Sequence, residues 1–145
     1  MQVDPRGQRL AAAITTIVLI AVLVTGNWVL LAVQAVIFAI PTFLGLGYAP
    51  YGLVFRTLVR PRIGPPAELE DAAPPRFAQA VGLGFALAGT IGYALGLTWL
   101  GIGATAFALG AAFLNAAFGF CLGCEMYPLI RRITTKIRSD REVPA

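Results

Sequence analysis

The chain has 145 residues, of which 58% are hydrophobic and 12% charged, with a net charge of +4 and a mean hydropathy of +0.78. A soluble domain carries about 25% charged residues, so this composition excludes an ordinary water-soluble core. Residues 10–55 and 77–124 hold no charge at all; every Lys, Arg, Asp and Glu lies in the first nine residues, in residues 56–76, or from Glu125 onward. A membrane helix needs about 20 apolar residues to cross about 30 Å of hydrocarbon. Each charge-free block therefore accommodates two helices and a tight turn, which predicts an all-α, four-transmembrane-helix bundle.

The first span is expected over residues 10–25, ending at the turn signal Thr25-Gly26-Asn27. Gln8 and Arg9 snorkel from its start. Arg6 and Arg9 before an apolar run resemble a signal peptide, but no small-x-small cleavage site follows Val24, so a retained helix is expected. The second span covers residues 28–46, the third 77–97 and the fourth 99–120. The turns near Asn27 and Thr98 carry no charge, while the other three polar segments carry all eleven Lys and Arg residues. The positive-inside bias then places both termini and the central linker in the cytoplasm, in a multi-pass protein of the inner (plasma) membrane. Trp28 and Trp99 fall at the outer turns and Tyr48, Tyr51 and Tyr127 near the inner ends, as in aromatic belts.

An internal repeat is visible at a separation of about 70 residues. DPRGQRLAAA from Asp4 resembles PPRFAQAVGL from Pro74; Trp28 matches Trp99, Gly52 matches Gly123, and Leu58–Arg60 matches Leu129–Arg131. The expected architecture is two parallel-repeat helical hairpins in a single membrane domain, related by an axis along the membrane normal. Its parts are a half-repeat over residues 4–62, a cytoplasmic linker over 63–73, a half-repeat over 74–134, and a short basic cytoplasmic tail over 135–145. The linker, with Glu68, Glu70 and Asp71, reads as an irregular loop. The tail cluster of Arg131, Arg132, Lys136 and Arg138 reads chiefly as a topology signal facing the lipid bilayer. Nothing beyond the pI of about 9.6 points to nucleic acid.

Small residues predict close helix packing: Gly92 with Gly96, Ala108 with Ala112 and Ala116, and Gly119 with Gly123. The same faces offer a homodimer surface as the alternative. Gln34 and Thr105 occupy equivalent repeat positions and are candidates for a hydrogen bond between the halves. No ionisable residue lies deep in a span, which disfavours ion-coupled transport. The absence of histidine removes the common general base and His-based metal or haem ligation.

The only two cysteines, Cys121 and Cys124, stand three residues apart where the last apolar block ends. Residues i and i+3 share a helix face, close to disulfide reach. Attack by one thiolate and resolution by the other is thiol exchange. The same pair can instead offer two soft ligands to a thiophilic metal, with a dimer or partner completing the set, or remain two inert small apolar residues. The cytoplasmic position argues against a permanent structural bridge. Glu125 is a candidate modulator of the pair, and Asn115, two turns earlier, a candidate polar support. No cofactor is expected for exchange, and a soft metal ion for the alternative.

NAAFGFCLGCEMY (residues 115–127) and PYGLVFRTLVRPRIGPPAELEDAAPPRFAQAVG (residues 50–82) resemble the bacterial integral membrane family called domain of unknown function 4395, common in actinobacteria. The resemblance covers nearly the whole chain. It implies a small multi-span membrane protein in which Cys121 and Cys124 match the family's cysteine pair and Asn115 and Glu125 its flanks. Members are often encoded near thioredoxin-like proteins and sulfurtransferases, which implies a thiol-redox or sulfur-relay role with such a cytosolic partner. A structural membrane subunit with inert thiols stands as the remaining alternative.

Overall fold

A computed structural model describes residues 2–66 and 68–142, and it is all-helical apart from one two-residue strand pair. Asp4 caps helix α1 (Pro5–Thr25) by accepting the Arg6 amide, with Pro5 preset for the first turn. Gly26, at φ 66°, closes α1 in the left-handed conformation that favours glycine. Asn27 caps α2 (Trp28–Leu44) by accepting the amides of Val29 and Leu30. A 3₁₀ turn (Leu46–Tyr48), α3 (Pro50–Val54), a π-helical turn (Phe55–Val59) and α4 (Arg60–Ile63) follow. The linker pairs β2 (Glu70–Asp71) antiparallel with β1 (Gln2–Val3). Then come α5 (Ala73–Ala94), α6 (Thr98–Phe118) and α7 (Leu122–Glu142).

Helices α1, α5 and α6 are long and apolar enough to cross a membrane, and α2, with 17 residues, is a shorter apolar helix at the lower bound of the spanning range. Each begins and ends within a few residues of its expected span. The hairpins are not separate packing units, however. α1 packs chiefly on α6 and α2 on α5, α5 also packs on α6, and α1 meets α2 far less. Leu19 and Val22 of α1, Leu31 and Phe38 of α2, Ala86 of α5 and Ala108 of α6 form one buried cluster.

Two arginines lock this arrangement at one end. Arg9 of α1 donates to the carbonyls of Ala116 and Ala117 at the C-terminus of α6, at 3.2 and 3.5 Å. Arg76 of α5 donates to those of Thr42 and Phe43 at the C-terminus of α2, at 2.9 and 3.3 Å. Both guanidiniums satisfy carbonyls that a helix end leaves without partners, and both meet the negative pole of the dipole. The start of α1, the end of α2, the start of α5 and the end of α6 thus gather at the end that also carries the cysteines.

The N-terminus is tied to the linker there. Arg6 pairs with Asp4 at 2.8 Å, donates to the Gly64 carbonyl at 2.9 Å, and lies over the ring of the buried Phe55. The Arg6 hydrogen bond holds the Asp4 carboxyl below its ordinary value. A depressed carboxyl pKa contributes stability that is full above the unfolded-state value near 3.9 and is lost as pH falls through the lower folded value. Asp4→Asn is therefore expected to lower the thermal midpoint in detergent at pH 6, with the difference from the native chain vanishing below about pH 3. An equal difference at both pH values would contradict this origin.

Several expectations are corrected. The short tail is instead part of a 21-residue helix, since α7 runs unbroken from Leu122 to Glu142 with Pro128 inside it. Residues 143–145 of the expected tail lie outside the described residues. The reason is visible in the pattern Met126, Ile130, Ile133, Ile137, a helical period continued among the basic residues. The fourth span stops at Phe118 rather than 120 because Gly119 turns left-handed. Gly96 lies beyond α5, at φ 78°, so only Gly92 packs closely, against the backbone of Gly101. Gln34 and Thr105 are both fully buried but do not bond to each other: Thr105 donates to the Gly101 carbonyl, and Gln34 accepts from the Tyr51 hydroxyl at 2.7 Å.

Candidate dithiol site

The site is built from the break between α6 and α7. The Gly119 amide donates to the Asn115 carbonyl at 2.9 Å and the Phe120 amide to that of Leu114 at 3.3 Å, which ends α6 and reverses the chain. Two residues later α7 begins. The Cys121 carbonyl accepts from the Glu125 amide at 3.0 Å, the first helical bond. The Cys121 sulfur accepts from the Cys124 amide at 3.1 Å. Cys121 is thus the N-cap of α7, its sulfur in the place a Ser or Asp oxygen usually takes. Unpaired amides and the helix dipole favour negative charge at that position.

Cys121 and Cys124 are joined by a disulfide, with Cα atoms 5.1 Å apart. Both residues lie on one turn of one helix, so the bridge fastens no two elements together. By the chain-entropy relation a loop this small contributes about 2 kcal/mol, at the lower end of the usual range. Both cysteines are half-buried, and Glu125 is exposed. Gly123, between them, faces Ala78 of α5 so closely that a Cβ would lie 2.6 Å from the Ala78 Cβ and 2.7 Å from its Cα. This contact, together with the Phe77 and Tyr127 rings at 5.8 Å, seats α7 on α5. The Gly119 and Gly123 pair therefore serves as a turn and a seat, not as a helix–helix stripe.

Two cavities meet at the pair. One, of about 260 Å³, lies among α1, α5, α6 and the start of α7, with Phe38, Phe85, Phe107 and Met126 in its wall. The other, of about 90 Å³, is bordered by Arg9, Glu70 and Cys124. Gln8, Ala78, Gln79, Asn115 and Cys121 line both and form the neck between them. Cys124 lines only the smaller. The predicted Asn115 and Cys121 are thus brought together, whereas Glu125 borders neither cavity. Ala108 and Ala112 line the larger cavity, so the small-residue face of α6 makes room as well as contact. Gln8 and Gln79 were missed by sequence reasoning, yet they stand 71 residues apart, the separation that also relates Trp28 to Trp99. Tyr51 borders the same cavity, and burial pushes its phenol up from the ordinary value.

Among the described residues no group of three or more His, Cys, Asp or Glu side chains gathers into a metal site. A metal held by the two sulfurs would first require their bond to be reduced and then ligands from another chain.

The fold and site together define an all-helical protein with three or four apolar helices fit to span a membrane and a cysteine pair at one end of them. Residues 3–132 match the family described as domain of unknown function (DUF4395), and the chain belongs to it. No curated protein and no solved structure gives a match.

Proposed function

We propose that this chain is a four-span membrane protein that exchanges electrons or sulfane sulfur with a cytosolic thioredoxin-like or sulfurtransferase partner through Cys121 and Cys124. The observation that carries the reading is the placement of the bridge. It joins two residues of one helical turn, caps a helix N-terminus with Cys121, and borders a small polar cavity. A bridge so placed adds little as a staple, while the helix terminus stabilises the thiolate that exchange requires. Arg9 and Arg76 at the same end, with Arg131 and Arg132 on α7, support a cytoplasmic location by the positive-inside rule. The apolar face of α7 then rests at the lipid surface. The reciprocal packing of α1 on α6 and α2 on α5, each with an arginine on the other half's helix end, is what two parallel half-repeats related by a twofold axis would produce.

Alkylation trapping tests the function. The purified native chain, incubated with a soluble dithiol, is expected to open its bridge and label at two sites, and to close again and lose both labels after a mild thiol oxidant. The Cys121→Ala/Cys124→Ala double variant is expected to lose function in cells while still inserting in the membrane. A bridge that never opens under native conditions, or full complementation by the double variant, would leave the thiols as inert packing.

A further inference from the structure

The larger cavity holds more than the exchange reaction needs. Thiol exchange with a soluble partner uses only the polar side, where Cys124 and Arg9 are found. Yet Cys121 also lines a cavity of about 260 Å³ that runs between the apolar helices, larger than an engineered cavity of about 150 Å³ that binds benzene. At its lipid-facing side Phe85 and Phe107 stack at 6.1 Å, and Phe107 is 72% exposed on the outer surface of α6. Around the sulfur the chemistry changes. Gln8, Gln79 and Asn115 surround the neck, and among the described residues none of these three side-chain amides makes a hydrogen bond.

We propose that this cavity binds the head group of a membrane quinone, its isoprenoid tail leaving past Phe85 and Phe107 into the lipid, and that Cys121 passes electrons to it. The inference rests on the exchange reading of the same pair. An acyl chain would use the apolar wall but leave three amides without partners, and a water-soluble substrate would use the amides but not the wall. A quinone uses both, since its ring packs against aromatic and small side chains while its two carbonyls accept from amide N–H groups. The electron count closes. The reduced pair loses two electrons and two protons as two S–H bonds become one S–S bond; the quinone gains both as its two C=O groups become C–OH. A soluble dithiol then reopens the bridge by two exchange steps and leaves as a disulfide. Cys121 lies in the wall of both cavities and Cys124 in that of the polar one alone, so electrons enter from the polar side and leave on the apolar side.

The test uses the full chain in lipid nanodiscs, reduced, desalted and mixed with a decyl-tailed benzoquinone. One equivalent of quinone is expected to be reduced per chain, with return of the bridge and a rate that saturates with quinone concentration. Asn115→Leu, which removes one amide at nearly constant volume, is expected to raise the half-saturating concentration by about three- to ten-fold, the equivalent of one neutral hydrogen bond. Ala112→Phe, which fills the cavity away from the sulfurs, is expected to abolish saturation. Thermal midpoints verify that both variants are folded, and a photoreactive quinone labelling native α5 or α6 gives a readout independent of any variant. If the pair cycles with a soluble dithiol but reacts with quinone without saturation, equally in native and variant chains, the quinone site falls and the exchange reading stands. If the pair cycles with neither, both fall.

Discussion

Replacing Gly123 with leucine is expected to lift the start of α7 from α5 and to expose the cysteine pair. Even a Cβ at this position would lie 2.6 Å from the Ala78 Cβ and 2.7 Å from the Ala78 Cα. The second of these atoms belongs to the backbone of a 22-residue helix and cannot rotate away. Overpacking of this kind costs about 1–3 kcal/mol, here charged to the contact that seats α7. Gly123→Ala is expected to lower the thermal midpoint by several degrees, and Gly123→Leu to raise alkylation of the reduced pair by a hydrophilic maleimide about ten-fold or more, since each 1.4 kcal/mol of displaced seating equilibrium is tenfold. Ala78→Gly removes the obstructing methyl and is expected to restore part of the loss in the Gly123→Ala background. Equal labelling in all four chains would show that α7 does not depend on this contact. The equivalent glycine of the first half, Gly52, meets only ordinary contacts at 3.5 Å or more, so Gly52→Ala is the natural control.

The difference between Gly52 and Gly123 shows where the two halves part. In the first half the chain after α2 breaks into α3, a π-helical turn and α4, because Pro50 and Pro61 interrupt it and Gly64 stops it. In the second half the matching region is one helix with a cysteine at its cap. Equivalent positions have thus been used for different ends: where Pro50 opens a short helix with its fixed φ, Cys121 opens a long one with a sulfur acceptor.

Much of the fold was legible because charge and apolar length are local signals. The turn residues Gly26 and Asn27 mark their boundary directly, since one supplies a positive φ and the other a cap. What the chain order hid was the pairing of helices. Apolar faces of α1, α2, α5 and α6 look alike, and nothing in their sequence states that α1 seeks α6 before α2; the arginine bonds across the halves do. The candidate cysteines were legible as the only two in the chain, but their role as cap and first-turn residue was not, because it depends on α6 ending at Phe118. Continuing the span to residue 120 would have merged the two helices and turned a cap into an ordinary i, i+3 pair. Gln8 and Gln79 carried a signal in their spacing, but each is unremarkable at a helix end, where a polar residue needs no explanation.

The two cysteines are expected to differ in what can reach them. In Cys124→Ser the remaining Cys121 borders both cavities, and in Cys121→Ser the remaining Cys124 borders only the polar one. An uncharged, lipid-partitioning maleimide is expected to favour Cys121, and a sulfonated maleimide to favour Cys124. The ratio of the two rates, compared between the variants, cancels the intrinsic nucleophilicity that the helix N-terminus lends to Cys121. That ratio of ratios is expected to be about tenfold, corresponding to about 1.4 kcal/mol of difference in access. Purified chain in nanodiscs leaves both membrane faces open to reagent, so sidedness does not enter. Filling the larger cavity through Ala112→Phe is expected to bring the ratio of ratios toward unity by slowing only the lipid-partitioning reagent at Cys121. Equal ratios in the unfilled variants would show that the neck does not separate the two sulfurs, and the electron route from polar to apolar side would then lose its structural basis.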